Sequence, residues 1–154
     1  FALPSITRPV LVDNIFYEFG KATLTAESSS SLNELKELLE QNPNITIELS
    51  AHCDFRGSAS FNEKLSQARA ESAVAYLVAQ GIEKERMTPV GYGESKPKVV
   101  SKKLTEKYTF LAEGDVLTEE FINNLKDEEL QEICNQINRR TEFQVLRTTY
   151  KLYE

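Results

Sequence analysis

The spacing of apolar residues predicts a helix followed by a strand in the N-terminal part of the chain. Leucines recur at every third or fourth position between residues 32 and 39, which is the period of one buried helical face. Thr25 is placed to cap this helix and Pro43 to stop it. Residues 45–50 then alternate apolar with polar side chains, so we expect a strand with one buried face that runs into His52.

A second, longer helix and another strand are predicted next. Ser60 and Glu63 form a candidate capping box at the start of the helix, and Gly81 lies where a left-handed C-terminal cap belongs. The short segment Met87–Tyr92 has the composition of a strand. The apolar stripe predicted for this helix consists of Ala70, Val74, Leu77 and Val78.

Two stretches depart from this regular alternation. Residues 1–9 contain two prolines and are predicted to form an extended lead-in, and the aromatic-rich segment Asn14–Phe19 is predicted to be a short strand. Residues 98–127 lack one clear period. We interpret them as an insertion in which Thr118 caps a short helix.

The C-terminal part returns to helix and strand. Asp127 is placed to cap a helix, and Thr141–Thr149 is predicted to be the final strand. The apolar face of that helix consists of Leu130, Ile133, Cys134 and Ile137. The predicted order is β-α-β-α-β, insertion, α-β. It favours one α/β (α+β) domain over residues 10–154, with helices packed on a mixed sheet.

Composition narrows the class of protein. A chain of 154 residues with 40% hydrophobic and 27% charged residues is suited to one globular domain. The net charge of -6 argues against binding of duplex nucleic acid. The longest apolar stretch, Ala73–Ala79, is far shorter than the roughly 20 residues that span a bilayer. Because the chain opens on Phe1, we expect it to be a piece of a longer protein.

The most informative segment for chemistry is Ala51–Ala70, which places Asp54 just past a strand and Arg69 two turns into the next helix. Asn62 and Ser66 share a helical stripe with Arg69. An anionic and a cationic group at fixed separation suit a zwitterion such as the amino-acid end of diaminopimelate, since both form charge-assisted hydrogen bonds. The alternative is a carboxylate that stabilises a turn and an arginine in a surface ion pair.

Other candidate sites are weaker. His52 is the only histidine, so a metal site would need His52, Cys53, Asp54 and the distant Cys134. Neighbours on a strand point to opposite faces, which argues against His52 activating Cys53 as a nucleophile. We expect no metal, no cofactor and no catalysis, and we expect both cysteines to be free thiols because two are too few for a disulfide framework.

Two adjacent arginines close the last predicted helix. Arg139 and Arg140 complement the negative end of the helix dipole in one interpretation. In the other, one of them faces the same pocket as Arg69 and helps to hold a carboxylate.

Four segments in order resemble the OmpA-like, or OmpA C-terminal, peptidoglycan-binding domain shared with Pal lipoproteins and flagellar stator proteins. They are NIFYEFGKATL, AHCDFRGSASFNEKLSQARA, GYGESKP and INRRTEF. The resemblance covers about residues 10–147, and the insertion is its main departure. The insertion and the phrase LTEEFINNLKDEELQEICNQINRR resemble the Bacteroidetes form of the domain, which includes outer-membrane lipoproteins of type IX secretion.

The resemblance implies a set of ligand-binding residues. It matches Asp54 to the aspartate that pairs with the diaminopimelate ammonium and Arg69 to the arginine that holds its carboxylate. Cys53 stands where the family commonly has Thr or Ala, so a hydroxyl contact is lost there. The flanking pocket positions are Asn62, Leu65, Arg139 and the aromatic residues Tyr17 and Phe19.

The function implied by the resemblance is non-covalent anchoring in the periplasm. The domain would bind the stem peptide of peptidoglycan and tether an outer-membrane protein, or a complex with secretion-system proteins, to the cell wall. Attachment to the outer membrane would come from an upstream part of the protein. The alternative is a protein-interaction module of the same fold that binds no ligand.

Overall fold

The computed structural model describes residues 10–12, 15, 17 and 21–150. The predicted lead-in of residues 1–9 lies outside this range, so the predicted domain limits stay a prediction. Among the described residues the elements are, in chain order, β1 (Val10–Val12), α1 (Ser28–Gln41), β2 (Thr46–His52), α2 (Ala59–Ala79), β3 (Met87–Gly93), α3 (Lys102–Lys107), α4 (Glu119–Asn123), α5 (Glu128–Asn138) and β4 (Arg140–Arg147), with a 3-10 turn at Lys84–Arg86 before β3.

The strands form one mixed sheet in the order β1-β4-β2-β3. β2 runs parallel to β3 and antiparallel to β4, and β4 runs antiparallel to β1. The predicted fold class, helices packed on a mixed sheet, is therefore confirmed. The carboxyl end of β2 meets the start of β4, where His52 pairs with Arg140. This meeting point places residues after β2 beside the end of α5.

The main core lies between the sheet and the first two helices. The apolar positions of β2 are buried as predicted, at Ile47, Leu49 and Ala51. Each fully buried aliphatic side chain of this kind contributes about 1.5–3 kcal/mol relative to an exposed one. The prediction of a single buried face is wrong, because Thr46, Ser50 and His52 on the other face are buried as well. The predicted stripe of α2 is correct except at Val78, which is 40% exposed. Ala73 is fully buried instead, so the buried stripe of the helix is rotated from the predicted one.

Two contacts bring α2 unusually close to β3. A Cβ atom at Gly91 would lie 2.0 Å from the backbone nitrogen of Gln67, so only glycine permits this approach. The hydroxyl of Ser66 accepts a hydrogen bond from the backbone N–H of Gly93 at 2.9 Å. These contacts fix the height and rotation of α2, and therefore the positions of the polar residues on its sheet-facing stripe.

Helix ends were predicted with mixed success. Thr118 and Asp127 cap α4 and α5 as predicted, and Gly81 adopts φ +104° after α2. The capping box at Ser60 is wrong, because Ser58 is the cap and accepts from the backbone N–H of Phe61. The Thr25 cap is also wrong.

At the start of α1 the side chain of Thr25 contacts the hydroxyl of Ser28 at 3.2 Å. The cap residue there is Glu27, which makes no side-chain capping bond. Of the three serine or threonine caps predicted, only Thr118 is correct; at the other two helix starts the cap lies two residues away, at Glu27 and Ser58.

The first strand precedes the predicted one, because the segment Val10–Val12 pairs with β4. Of the predicted strand Asn14–Phe19, only Ile15 and Tyr17 are described, and Tyr17 forms an isolated antiparallel bridge with Leu24. Phe19 lies outside the described residues.

The segment 98–127 has its own small core. An isolated bridge joins Val99 to Val116. α3 follows Val99 along the chain, and α4 follows Val116. The buried residues of this second cluster are Val100, Leu111, Leu117, Ile122 and Cys134. Since Cys134 belongs to α5, the segment packs against that helix.

Candidate functional site

A cavity of about 890 Å³ opens where β2 ends, between α2, α5 and the start of β4. The structure brings together seven of the eight predicted site residues here, and the eighth is Phe19, which is not described. The residues lining the cavity are Ile15, Tyr17, Ala51, His52, Cys53, Asp54, Arg56, Gly57, Phe61, Asn62, Leu65, Arg69, Gln136, Arg139, Arg140 and Thr141.

Asp54 follows β2 directly and is buried in the wall of this cavity. Its Oδ1 accepts the backbone N–H of Arg56 at 2.9 Å, and its Oδ2 accepts Nη2 of Arg56 at 2.7 Å. Arg139 donates a further hydrogen bond to Oδ2. Burial opposes ionisation of Asp54, but these hydrogen bonds outweigh it and lower its pKa. The carboxylate is therefore charged at neutral pH.

The turn that holds Asp54 is fixed by α2. Asn62 donates from Nδ2 to the carbonyl oxygen of Arg56 at 2.8 Å and to that of Asp54 at 3.4 Å. Gly57 adopts φ +86°, a backbone conformation that favours glycine, and lets the chain turn back into the helix. Asn62 thus acts on the site by positioning the turn.

Arg69 lies on α2 further along the same cavity. Its Nε donates to the carbonyl oxygen of Lys21 at 3.0 Å, and its guanidinium carbon lies 5.0 Å from the centre of the Tyr17 ring. Tyr17 in turn donates its hydroxyl to the carbonyl oxygen of Arg69 at 3.0 Å. Burial raises the pKa of Tyr17, so this hydroxyl stays protonated as a donor. These contacts leave Arg69 oriented by its neighbours and facing the cavity.

Glu132 and Arg56 are functional candidates that sequence reasoning missed. Glu132 of α5 accepts from Nη1 of Arg56 at 3.0 Å and from Nη2 of Arg139 at 3.1 Å. The sequence did hold a signal for Glu132, because Glu132, Gln136 and Arg139 lie on one helical stripe at i, i+4 and i+7. We call Asp54, Arg56, Glu132 and Arg139 the Asp54 cluster.

The two cysteines are buried free thiols. Cys53 donates from Sγ to the carbonyl oxygen of Asn62 at 3.5 Å. Burial raises the pKa of both thiols, to about 11 for Cys134. A nucleophilic thiolate needs the opposite shift, so the structure gives no support to a catalytic cysteine. Among the described residues no group of three His, Cys, Asp or Glu side chains is placed to hold a metal.

His52 serves a second ionic network, which we call the Glu142 cluster. Nε2 of His52 lies 3.4 Å from Oε1 of Glu142, and Nζ of Lys98 lies 2.9 Å from Oε2. Nε of Arg140 lies 3.2 Å from Oε2, close enough for an ion pair although not aligned as a hydrogen bond. Burial opposes ionisation of Glu142, but His52, Arg140 and Lys98 together hold its pKa far below the usual range.

The two adjacent arginines therefore separate. Arg139 faces the cavity and Asp54, as one of the two interpretations of the sequence holds. Arg140 pairs with Glu142 and donates to the carbonyl oxygens of Asn138 and Lys96. Arg140 also borders the cavity, but its guanidinium is committed to the structure around the end of α5.

Comparison with known proteins places the chain among its relatives. The model of the OmpA family matches residues 16–109, more than half of the chain. The chain belongs to the OmpA family. The matched range contains Asp54, Asn62 and Arg69 and ends within the segment 98–127. α5 and β4 lie beyond it, so the family match itself does not include Arg139 or Glu132.

Two curated relatives carry the likeness. The chain is 34% identical over 84 residues to outer membrane porin F of Pseudomonas fluorescens, covering 54% of this chain and 26% of that protein. It is 33% identical over 85 residues to the peptidoglycan-associated lipoprotein of Buchnera aphidicola, covering 55% of this chain and 49% of that protein. The chain thus spans about half or less of the curated relatives it matches.

A solved structure supports the fold over a longer range. The peptidoglycan-associated lipoprotein of Burkholderia pseudomallei superimposes with a TM-score of 0.58 at 20% identity, covering 85% of this chain and 87% of that one. At this identity the likeness shows the fold alone. In the described part of the OmpA-family chain, every helix is too short or too polar to cross a membrane.

Proposed function

We propose that this OmpA-family domain binds peptidoglycan non-covalently through a diaminopimelate end of the stem peptide. In this role it tethers an outer-membrane protein or complex to the cell wall. The observation that carries the proposal is the shared cavity, in which a buried carboxylate, Asp54, and an oriented guanidinium, Arg69, line one space. Curated relatives named outer membrane porin and peptidoglycan-associated lipoprotein support it.

The chemistry of the two groups fits the two charges of an amino-acid head group. Arg69 can bind a carboxylate with two parallel hydrogen bonds, because it lines the cavity and its guanidinium is already oriented by the bond from Nε to the carbonyl oxygen of Lys21. Asp54 accepts the ammonium. Leu65 and the Tyr17 ring offer apolar surface to the methylene chain between the two ends of the ligand.

The other predicted site residues take supporting roles in the proposal. Asn62 holds the Asp54 turn, and Arg139 shares the Asp54 carboxylate. Cys53 lines the cavity with its buried thiol and gives no hydroxyl contact. Phe19 is kept as a proposed aromatic wall on the strength of the resemblance.

The setting proposed for the domain is the periplasm, attached to the outer membrane through an upstream part of the protein. Other outer-membrane or secretion-system proteins are the proposed partners. The narrower assignment to a Bacteroidetes lipoprotein of type IX secretion stays a prediction that rests on the segment 98–127 and the helix after it.

Co-sedimentation with purified sacculi tests the proposal. Wild type should pellet with sacculi, and Asp54→Ala or Arg69→Ala should each weaken binding by about 2–5 kcal/mol, because one charge of the pocket or the ligand is left unpaired. Arg147→Ala is the matched control, since Arg147 is an exposed arginine at the far end of β4. Wild-type retention by both site variants would refute the proposal.

Two further assays separate the proposed binder from a protein-interaction module and from a hydrolase. A protein-interaction module without ligand binding gives no heat on calorimetric titration with meso-diaminopimelate, whereas the proposed binder saturates. A hydrolase would release soluble muropeptides from the sacculi, whereas a binder only co-sediments.

A further inference from the structure

The carboxylate of Asp54 already accepts four hydrogen bonds before any ligand enters, three of them at Oδ2. Oδ1 accepts one backbone N–H, and Oδ2 accepts Nε and Nη2 of Arg56 together with Nη1 of Arg139. A carboxylate offers about four lone-pair sites. Oδ1 keeps room for one further donor, but a ligand ammonium can reach Oδ2 only if one guanidinium gives up its bond.

Glu132 offers both guanidiniums a second partner. Its two oxygens accept Nη1 of Arg56 and Nη2 of Arg139, while the same two arginines hold Asp54 with their other nitrogens. Arg56 and Glu132 are largely solvent-accessible, at 58% and 42% of their side-chain surface, whereas Asp54 is buried. Arg56 can thus release Asp54 and remain paired, since its partner Glu132 lies on the solvent side.

The charge of Glu132 also affects which ligand groups the cavity attracts. The Asp54 cluster carries two positive and two negative groups, and Arg69 adds a positive one. Without the charge of Glu132, the ammonium of a ligand would approach one carboxylate flanked by two arginines. The two guanidiniums would repel the ligand ammonium, and the cavity would favour a ligand that carries a carboxylate at both of its ends.

We infer that Glu132 is a specificity-determining residue that allows this cavity to accept a free ammonium beside Asp54. It acts as a second counterion for Arg56 and Arg139, so that Asp54 can exchange a guanidinium for the ligand. The inference rests on the proposed function and deepens it, since it identifies what distinguishes an amino-acid head group from a plain carboxylate at this site.

Two probes separate the ammonium from the carboxylate. Meso-diaminopimelate carries both, and pimelate is the same seven-carbon dicarboxylic acid without its amino groups. Both are titrated calorimetrically into wild type, Glu132→Gln and Glu128→Gln. Glu128 is the matched control, an exposed glutamate one helical turn earlier on α5.

In wild type we expect diaminopimelate to bind more tightly than pimelate. Glu132→Gln should reduce that preference by about fivefold, by weakening diaminopimelate and not pimelate, and Glu128→Gln should leave it unchanged. If wild type prefers diaminopimelate and Glu132→Gln keeps the full preference, the role of Glu132 is refuted while the proposed function stands. If wild type binds neither probe, both are refuted.

Discussion

Two carboxylates at the same end of the sheet are each surrounded by cationic side chains, but the cations differ in their exposure. The Asp54 side chain is 8% exposed, and its partners Arg56 and Arg139 are 58% and 34% exposed. Both arginines also form ion pairs with Glu132. This arrangement can exchange one partner for another at little cost, because water and a second carboxylate are at hand.

The Glu142 cluster has no such freedom. The Glu142 side chain is 5% exposed, and those of its cationic partners Arg140 and Lys98 are 7% and 19% exposed. Breaking a buried pair leaves an uncompensated charge in a poorly solvated place. The comparison teaches that similar ion pairs serve different ends here, since exposure of the partners, and not the pairing itself, distinguishes an exchangeable site from a structural one.

The comparison predicts its largest effect at Glu142. Glu142→Gln should lower the free energy of unfolding by about 3–5 kcal/mol, because Arg140 and Lys98 keep their charges and lose their counterion. Urea unfolding followed by circular dichroism measures it. Glu132→Gln is the control and should cost about 1 kcal/mol or less, since its pairs are exposed. Equal losses in the two variants would remove the distinction between the clusters.

Asp54→Asn should have a smaller effect on stability, about 1–2 kcal/mol, since Arg56 and Arg139 retain Glu132 and water. The same variant should lose retention on sacculi. A stability loss as large as that of Glu142→Gln would show that Asp54 is structural, and its binding defect would then have no separate meaning.

The pH dependence of stability sharpens the comparison further. Burial lowers the pKa of His52 below its ordinary value of 6.5, and the nearby Arg140 adds to this, although the bond to Glu142 opposes it. Just below pH 6.5 the unfolded chain therefore binds more protons than the folded one. Stability should be fully present above that pH and fall as the pH is lowered through the folded-state pKa.

Urea unfolding at several pH values between about 5 and 8 checks this expectation. His52 is the only histidine in the chain, so His52→Gln should flatten the profile in that range. A wild-type stability that rises as the pH falls from 7 to 6 would contradict the neutral state inferred for this imidazole.

The smallest expected effect belongs to Tyr17. Tyr17→Phe removes the hydroxyl that donates to the carbonyl oxygen of Arg69 but keeps the ring beside the guanidinium. We expect diaminopimelate binding to weaken by about 1 kcal/mol or less, measured by titration calorimetry. Tyr108→Phe, in the segment 98–127, is a control outside the cavity. A complete loss of binding in Tyr17→Phe would mean that the hydroxyl itself meets the ligand.

The periodic elements of this chain could be predicted from sequence, because their apolar faces repeat at the spacing of helix or strand. The leucines of α1 and the apolar positions of β2 are examples, and both sets are buried as expected. Caps were less predictable, because Ser58 and Ser60 lie two residues apart and either side chain can cap a helix, so the local sequence does not decide between them. The close approach at Gly91 is a tertiary property with no local sequence signal.

The residues of the candidate site were predictable where a segment resembled a family. Asp54 and Arg69 are examples, and the structure places both on one cavity. Glu132 was not found, although it shares a helical stripe with Arg139 seven residues later, because its other partner, Arg56, lies 76 residues away in sequence. The different fates of Arg139 and Arg140 likewise depend on where the helix ends and the strand begins.

The most direct test of the central claim is a nuclear magnetic resonance titration of the isotope-labelled domain with meso-diaminopimelate. We predict that the largest amide shifts lie around Asp54, Arg69 and Arg139, with Glu48 and Gln144 on the far side of the sheet unaffected. Shifts confined to that far side, or no shifts at saturating ligand, would contradict the claim that this cavity holds the cell-wall ligand.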